Sequence, residues 1–240
     1  MRTKTLLIAV AALAVGIGSS LAQTYSQNIV GYANVPTPSS GTFYMITVPF
    51  TIGVSNGANE VFSSNLPNFS YILLWDSDTL GYVTYFYNTD SSTSWSDESY
   101  GDTGAPTIPV GQGFFLNPTE DNVTNVFAGT VAVNVGTSNK MELPDSGTFY
   151  LISAVVPYNG AVTNGTASGG GLNLNGLPNF SYILIWDPDS LGYVTYFYDT
   201  DSPCLWDDES YGNLDAPPTL NVGQAFFINL TGAYTWTVGL

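Results

Sequence analysis

The sequence predicts an all-β protein built as two similar tandem β-sandwich or barrel-like modules after a signal peptide. Three observations lead there. The chain beyond its first two dozen residues is written twice. Its apolar segments are short, aromatic and β-branched. No window past the N-terminal stretch carries sustained helical periodicity with cap signals.

The repeat is explicit. Pro67-Asn-Phe-Ser-Tyr-Ile-Leu-Leu-Trp-Asp76 returns as Pro178-Asn-Phe-Ser-Tyr-Ile-Leu-Ile-Trp-Asp187, and Leu80 to Tyr87 returns unchanged as Leu191 to Tyr198. Asp97 to Gly101 recurs as Asp208 to Gly212, Val110 to Phe115 as Val222 to Phe227, and Ser40 to Tyr44 as Ser146 to Tyr150. The offset grows from 106 residues at Ser40 and Ser146 to 111 at Pro67 and Pro178. The extra residues fall in the Gly-, Ser- and Thr-rich stretch 163–171, which reads as a surface loop.

Within a copy, Tyr71–Trp75, Tyr82–Tyr87 and Gly113–Asn117 read as strands bounded by Gly, Pro, Asn, Asp and Ser. Trp75 to Tyr82 reads as a hairpin connection, with Gly81 supplying the permissive dihedrals. Each copy offers about six short strands in roughly 105 residues, the scale of a small sandwich or barrel. Thr130 to Val135 resembles Val30 to Val35, and both precede a Ser-Gly-Thr-Phe-Tyr strand. The expected boundaries are therefore 1–22 for the signal, 23–129 for copy 1 and 130–240 for copy 2.

Arg2 and Lys4, the apolar run Leu6 to Ile17 and the small residues at Ser20 and Ala22 form the signal peptide, with a cut before Gln23. The run is shorter than the roughly 20 residues of a spanning helix, and no second one follows, so no integral membrane segment is expected. The destination is the secreted or extracellular-surface compartment. The single Cys204 has no intramolecular disulfide partner, and Thr93 takes its place in the other copy; it reads as a small buried hydrophobe.

After the cut the chain keeps one lysine and no arginine against nineteen acidic residues, a net charge near −18. Nucleic-acid and phosphate partners are disfavoured, because lysine and arginine drive their binding. Self-repulsion on this scale calls for screening by salt or divalent cations. With no histidine, Ser-His-Asp and Cys-His machinery are excluded, and side-chain clamps for oxyanions are nearly so. No catalytic residue and no enzyme activity are expected.

Three weaker candidates remain. Trp95 with Asp97 and Glu98, and Trp206 with Asp208 and Glu209, place an aromatic face beside carboxylates, where a sugar ring could stack; the competing reading is a loop anchor packed on its own sheet. Trp75 and Trp186 lie in apolar strands and read as core. Asp76, Asp78 and Asp90, with Asp187, Asp189 and Asp201, are calcium candidates, though Leu80 and Leu191 stand where a further ligand belongs and aspartate also serves hairpin turns by itself. Asn68, Asn122, Asn164, Asn179 and Asn229 open Asn-x-Ser/Thr triplets and are candidate glycosylation positions.

The order of signals is a Phe-Tyr strand ending at Pro49, a Trp-Asp hairpin at Trp75–Tyr82, and a Val-Gly-Gln-Gly-Phe-Phe strand. It resembles the small secreted β-modules of environmental bacteria whose pattern runs GWNLIS-x-P, W-D, G-Y, P-G-x-G-F/Y-W. Gln27 to Tyr32 also resembles the mature start of short exported proteins of that group. The resemblance covers nearly the whole mature chain, with Phe43 where tryptophan is usual and Ala225 in place of a glycine. It carries over no catalytic residue.

Two functions stand side by side. One is a non-catalytic extracellular or cell-surface structural protein, self-assembling head to tail when residues 28–35 of one molecule fill a strand position left open after copy 2. The other is a bivalent binder of extracellular polysaccharide.

Overall fold

The computed structural model describes residues 29–62, 66–133, 138–143, 147–166 and 171–239; the segment 1–22, expected from the sequence to be a signal peptide, lies outside them. Copy 1 contains β1 (Val30–Thr37), β2 (Tyr44–Thr47), α1 (Ala58–Phe62), β3 (Tyr71–Asp76), β4 (Gly81–Tyr87), β5 (Trp95–Ser96), β6 (Asp102–Thr103), β7 (Gly113–Asn117) and β8 (Val123–Thr130). Copy 2 contains β9 (Ser138–Leu143), β10 (Phe149–Ile152), β11 (Gly160–Ala161), β12 (Tyr182–Asp187), β13 (Gly192–Tyr198), β14 (Trp206–Asp207), β15 (Thr219–Leu220), β16 (Phe226–Asn229) and β17 (Tyr234–Gly239).

The two copies share a five-strand antiparallel order, to which copy 1 adds β6. It runs β2-β7-β3-β4-β5-β6 in copy 1 and β10-β16-β12-β13-β14 in copy 2. Each adds a two-stranded ribbon, β1 with β8 and β9 with β17. The strands expected at Tyr71, Tyr82 and Gly113 are β3, β4 and β7. The left-handed residues repeat as well: Phe69 and Phe180, Leu80 and Leu191, Ser94 and Leu205, Tyr100 and Tyr211 all have positive φ. The hairpin's left-handed position is thus Leu80 rather than Gly81, which opens β4.

Period-two alternation sends the two sides of each strand to different cores. In copy 1, Ile72, Phe114 and Leu116 face the ribbon, where Ala33, Val35 and Phe127 and the helix residue Phe62 meet them. The Phe62 ring lies 6.0 Å from Phe114 and 6.1 Å from Phe127. The opposite sides, Met45 and Phe115 with Phe43, Leu73 and Trp75, pack on Leu151, Ala225 and Phe227 with Phe149, Leu184 and Trp186 of copy 2. The order of layers is ribbon, sheet, sheet, ribbon. This explains why β7 is buried at all five positions: both of its sides meet protein. Trp75 and Trp186 are core residues, and the core they serve lies between the copies.

Most polar contacts across this junction come in mates; the bond from Ala225 N to Met45 O at 3.2 Å stands alone. Trp75 Nε1 donates to Phe149 O at 2.8 Å, and Trp186 Nε1 donates to Phe43 O at 2.7 Å. Thr47 N donates to Gly223 O and Ser153 N to Gly111 O, each at 2.9 Å. Ile46 bridges Gln224, and Ile152 bridges Gln112. Such reciprocity is the mark of a two-fold relation between like surfaces, here within one chain.

One expectation changes. The strand beginning near 28–35 is β1, paired with β8 of its own copy from Val30–Thr130 to Thr37–Val123. β8 ends at Thr130, 131–133 are not in a strand, 134–137 lie outside the described residues, and the next strand is β9. The closing strand of copy 2, β17, pairs with β9 from Tyr234–Leu143 to Gly239–Ser138, so the position that was to receive a neighbour's 28–35 is already filled.

Candidate functional site

The tryptophans of the sugar-stacking candidates are buried. Trp95 and Trp206 are both 0 % exposed. Trp95 packs at 5.6 Å from Tyr87 and 6.3 Å from Phe62, and its Nε1 donates to Asn59 Oδ1 at 2.7 Å. Trp206 packs at 5.5 Å from Tyr198. Both anchor their loop to the sheet, so neither presents a face to a ligand. Their polar surroundings misled because β5 and β14 are only two residues long and bury both positions.

The neighbouring carboxylates build a turn. Asp97 Oδ1 accepts the N–H groups of Ser99 (2.8 Å) and Gly101 (3.0 Å), and Asp208 Oδ1 accepts those of Ser210 (2.8 Å) and Gly212 (2.9 Å). That turn lifts a different ring into solvent. Tyr100 and Tyr211 both have φ 58°, a left-handed conformation that costs a side-chain-bearing residue roughly 1–2 kcal/mol. They remain 66 % and 62 % exposed. Tyr100 stacks on Phe86 with centroids 5.3 Å apart, and Tyr211 on Phe197 at 4.7 Å, each at 27° between planes.

Behind each stack the rings continue across the sheet. Phe86 lies 5.3 Å from Tyr71, which lies 5.6 Å from Phe43; Phe197 lies 5.3 Å from Tyr182, which lies 5.9 Å from Phe149. Partial burial raises the Tyr71 and Tyr182 phenols above their ordinary value, so both stay neutral. Exposed Glu98 borders the copy-1 stack, where Thr84 Oγ1 donates to its Oε1 at 2.8 Å; Glu209 is its exposed counterpart. The stacking rings were missed although Phe86 and Tyr100 both lie in repeated words. Only the turn geometry separates an exposed Tyr100 from a buried Trp95.

The calcium candidates do not converge. Asp76 accepts the N–H of Asp78 (2.9 Å) and the hydroxyl of Thr79 (2.8 Å); Asp187 accepts from Asp189 N (3.0 Å) and Ser190 Oγ (2.7 Å). These hydrogen bonds hold both carboxyls below their usual range, the side-chain hydroxyl contributing most. Asp90 and Asp201 sit beyond the far ends of β4 and β13, seven-residue strands of about 3.3 Å per residue, so about 20 Å separates them from Asp78 and Asp189. Among the described residues no three acidic or cysteine side chains gather in a metal-holding group.

Of the triplet asparagines, Asn229 is only 7 % exposed within β16 and out of an enzyme's reach. Asn68 and Asn179 use Oδ1 to accept Thr89 N and Thr200 N, both at 2.9 Å. Asn122 and Asn164 are exposed. Cys204 is half-buried, with its Sγ 3.3 Å from Trp206 O.

A cleft of about 580 Å³ also opens between the copies, lined by Asn34, Pro36, Tyr44, Trp186, Asp189 and Asn221 among others. Comparison with protein families, with characterised proteins and with solved structures finds no match to the chain.

Proposed function

We propose that the protein is a non-catalytic polysaccharide-binding protein of the extracellular space, bivalent through its two ring stacks. The observation that supports this most is the duplicated stack, Tyr100 on Phe86 and Tyr211 on Phe197, with both tyrosines exposed and held at the same unfavourable φ. A strained backbone maintained twice points to a geometry with a use. An aromatic face takes the C–H face of a sugar ring, and bordering carboxylates accept from its hydroxyls. Two like sites on one body gain avidity on a repeating polymer without any new contact. The lack of cationic side chains favours neutral glycans.

The test is retention on insoluble polysaccharides. Tyr100→Gly and Tyr211→Gly remove the rings while relieving the backbone, so the variants fold. Each single change leaves one site and is expected to lose the avidity factor, about a hundredfold or more, and the double change to abolish retention. Wild-type retention by the double variant, or none by the parent on any neutral glycan, refutes the reading.

A second reading, a self-associating structural protein of the cell surface, draws on one observation. The outer side of the β1–β8 ribbon exposes Val30 (73 %), Tyr32 (74 %) and Val126 (51 %) without a charge, whereas the matching β9–β17 ribbon carries Lys140, Glu142, Thr235 and Thr237. Uncharged apolar surface on so acidic a chain suits a like surface. Sedimentation that stays monomeric at high concentration in salt, unchanged by Tyr32→Lys, excludes it.

A further inference from the structure

The copies differ in buried chemistry around Trp95 and Trp206: Trp95 Nε1 has Asn59 as partner, whereas Trp206 Nε1 is buried without one, and the polar pair beside the indole is exchanged. In copy 1, Asn88 Oδ1 accepts the N–H of Asp90 at 3.0 Å, and its Nδ2 donates to Ser96 Oγ at 3.1 Å. In copy 2, Asp199 stands in place of Asn88 and Asp207 in place of Ser96. The frame around them is unchanged. Asn88 N meets Ser94 O at 3.0 Å as Asp199 N meets Leu205 O at 3.0 Å. Ser91 Oγ donates to Trp95 O at 3.1 Å as Ser202 Oγ does to Trp206 O at 3.0 Å.

The Asp199 side chain is also held in the same way, with Oδ1 accepting Asp201 N at 2.9 Å. By correspondence with Asn88, whose Nδ2 reaches residue 96, the Asp199 Oδ2 is expected on the side of residue 207. A donor facing a hydroxyl has become an acceptor facing a carboxylate. Asp207 is 3 % exposed, and its Oδ1 is buried without a hydrogen-bond partner. An ionised carboxylate buried without a partner is strongly unfavourable. Among the described residues the only basic side chain is Lys140, on β9 of the β9–β17 ribbon.

We propose that copy 2, and not copy 1, binds one calcium ion between Asp199 and Asp207. Two carboxylates offer up to four of the six to eight oxygens that calcium takes. Asp199 is half-buried, which leaves the site open to water for the remainder. Exposed Asp201 adds negative potential at the entrance. Copy 1, with its self-satisfied amide and hydroxyl, is the control built into the same chain. The site is separate from the Asp187–Asp189 turn, which lies at the other end of β13.

Calorimetric titration with calcium chloride tests this on the chain from Gln23 onward, stripped with chelator and held at constant ionic strength with sodium chloride. Terbium luminescence excited through the adjacent Trp206 gives a second readout. The expected result is one ion per chain. Asp199→Asn with Asp207→Ser installs the copy-1 pair, which fits this frame, and is expected to fold and bind at least tenfold more weakly. Asn88→Asp with Ser96→Asp is expected to raise the stoichiometry to two. The proposal is overturned if millimolar calcium shows no saturable binding, or if binding persists undiminished in the Asp199→Asn, Asp207→Ser variant. It is equally overturned if acidification stabilises the parent chain while calcium does nothing, since the pair then shares a proton.

Discussion

The Ala225 β-carbon stands 2.7 Å from the point a β-carbon on Gly113 would occupy, with Leu151 Cδ1 at 2.9 Å from the same point. The two residues hold matching positions in the repeat, and they meet where the two sheets cross. The one departure in the Val-Gly-Gln-Gly-Phe-Phe word is therefore a packing requirement: the junction has room for one methyl group, supplied by copy 2.

Gly113→Ala is expected to destabilise the protein by about 1–3 kcal/mol, the usual cost of overpacking a core. Combining it with Ala225→Gly is expected to restore part of that loss, leaving the contact with Leu151. Denaturant unfolding of the four-member cycle measures the coupling. Additive single effects would show that the two positions do not share one space.

Trp75→Phe and Trp186→Phe each remove an indole donor and leave a carbonyl, Phe149 or Phe43, without its partner. A loss of about 1 kcal/mol is expected from each, and the two losses should match because the bonds are mates. Urea midpoints report this directly. One silent variant beside one costly variant would mean that the geometric reciprocity has no energetic counterpart.

Removing Gln23 to Val35 takes away most of β1 and bares the ribbon side of copy 1, including Phe127, which is 0 % exposed in the intact protein. Expected is a protease-sensitive first copy beside an intact second, read by limited proteolysis with mass mapping. A truncated chain that resists digestion as well as its parent would mark β1 as dispensable.

Glu60 carries the clearest acid dependence. Its carboxylate accepts the N–H groups of Val54 (2.9 Å), Ser55 (3.1 Å) and Gly57 (3.0 Å). These lower its pKa from the ordinary 4.5 to about 2. The folded value lies below the unfolded one, so the stabilisation is complete above pH 4.5 and disappears as pH falls towards 2. Glu60→Gln should be less stable than the parent at pH 7, with the gap closing between pH 4.5 and 2. Comparing the two proteins cancels the opposite effect of general protonation, which relieves self-repulsion. A gap that is constant with pH would assign the difference to packing.

Strand positions were legible because β3, β4 and β7 are short runs of aromatic and β-branched residues cut off by Gly, Pro and Asp. Their repetition also made the shared sheet order legible. Helix α1 was not, since five residues leave too little periodicity to read. Trp95 and Tyr100 exchanged roles for a similar reason: both lie in polar words, and only the Asp97 turn sends one inward and the other out.

All-β character and the doubled motif follow from the residues alone, as do the absence of histidine and the scarcity of basic side chains. Those properties belong to composition and to spacings within a few residues. The tertiary structure decided that β1 closes on β8, that β17 closes on β9, and that the two sheets join through Phe115, Phe227 and the paired tryptophans. Alternation tells which residues share a side of a strand, but it does not tell what that side meets. A side apolar enough for a core serves equally well inside one copy or between two, and only the packed molecule distinguishes them.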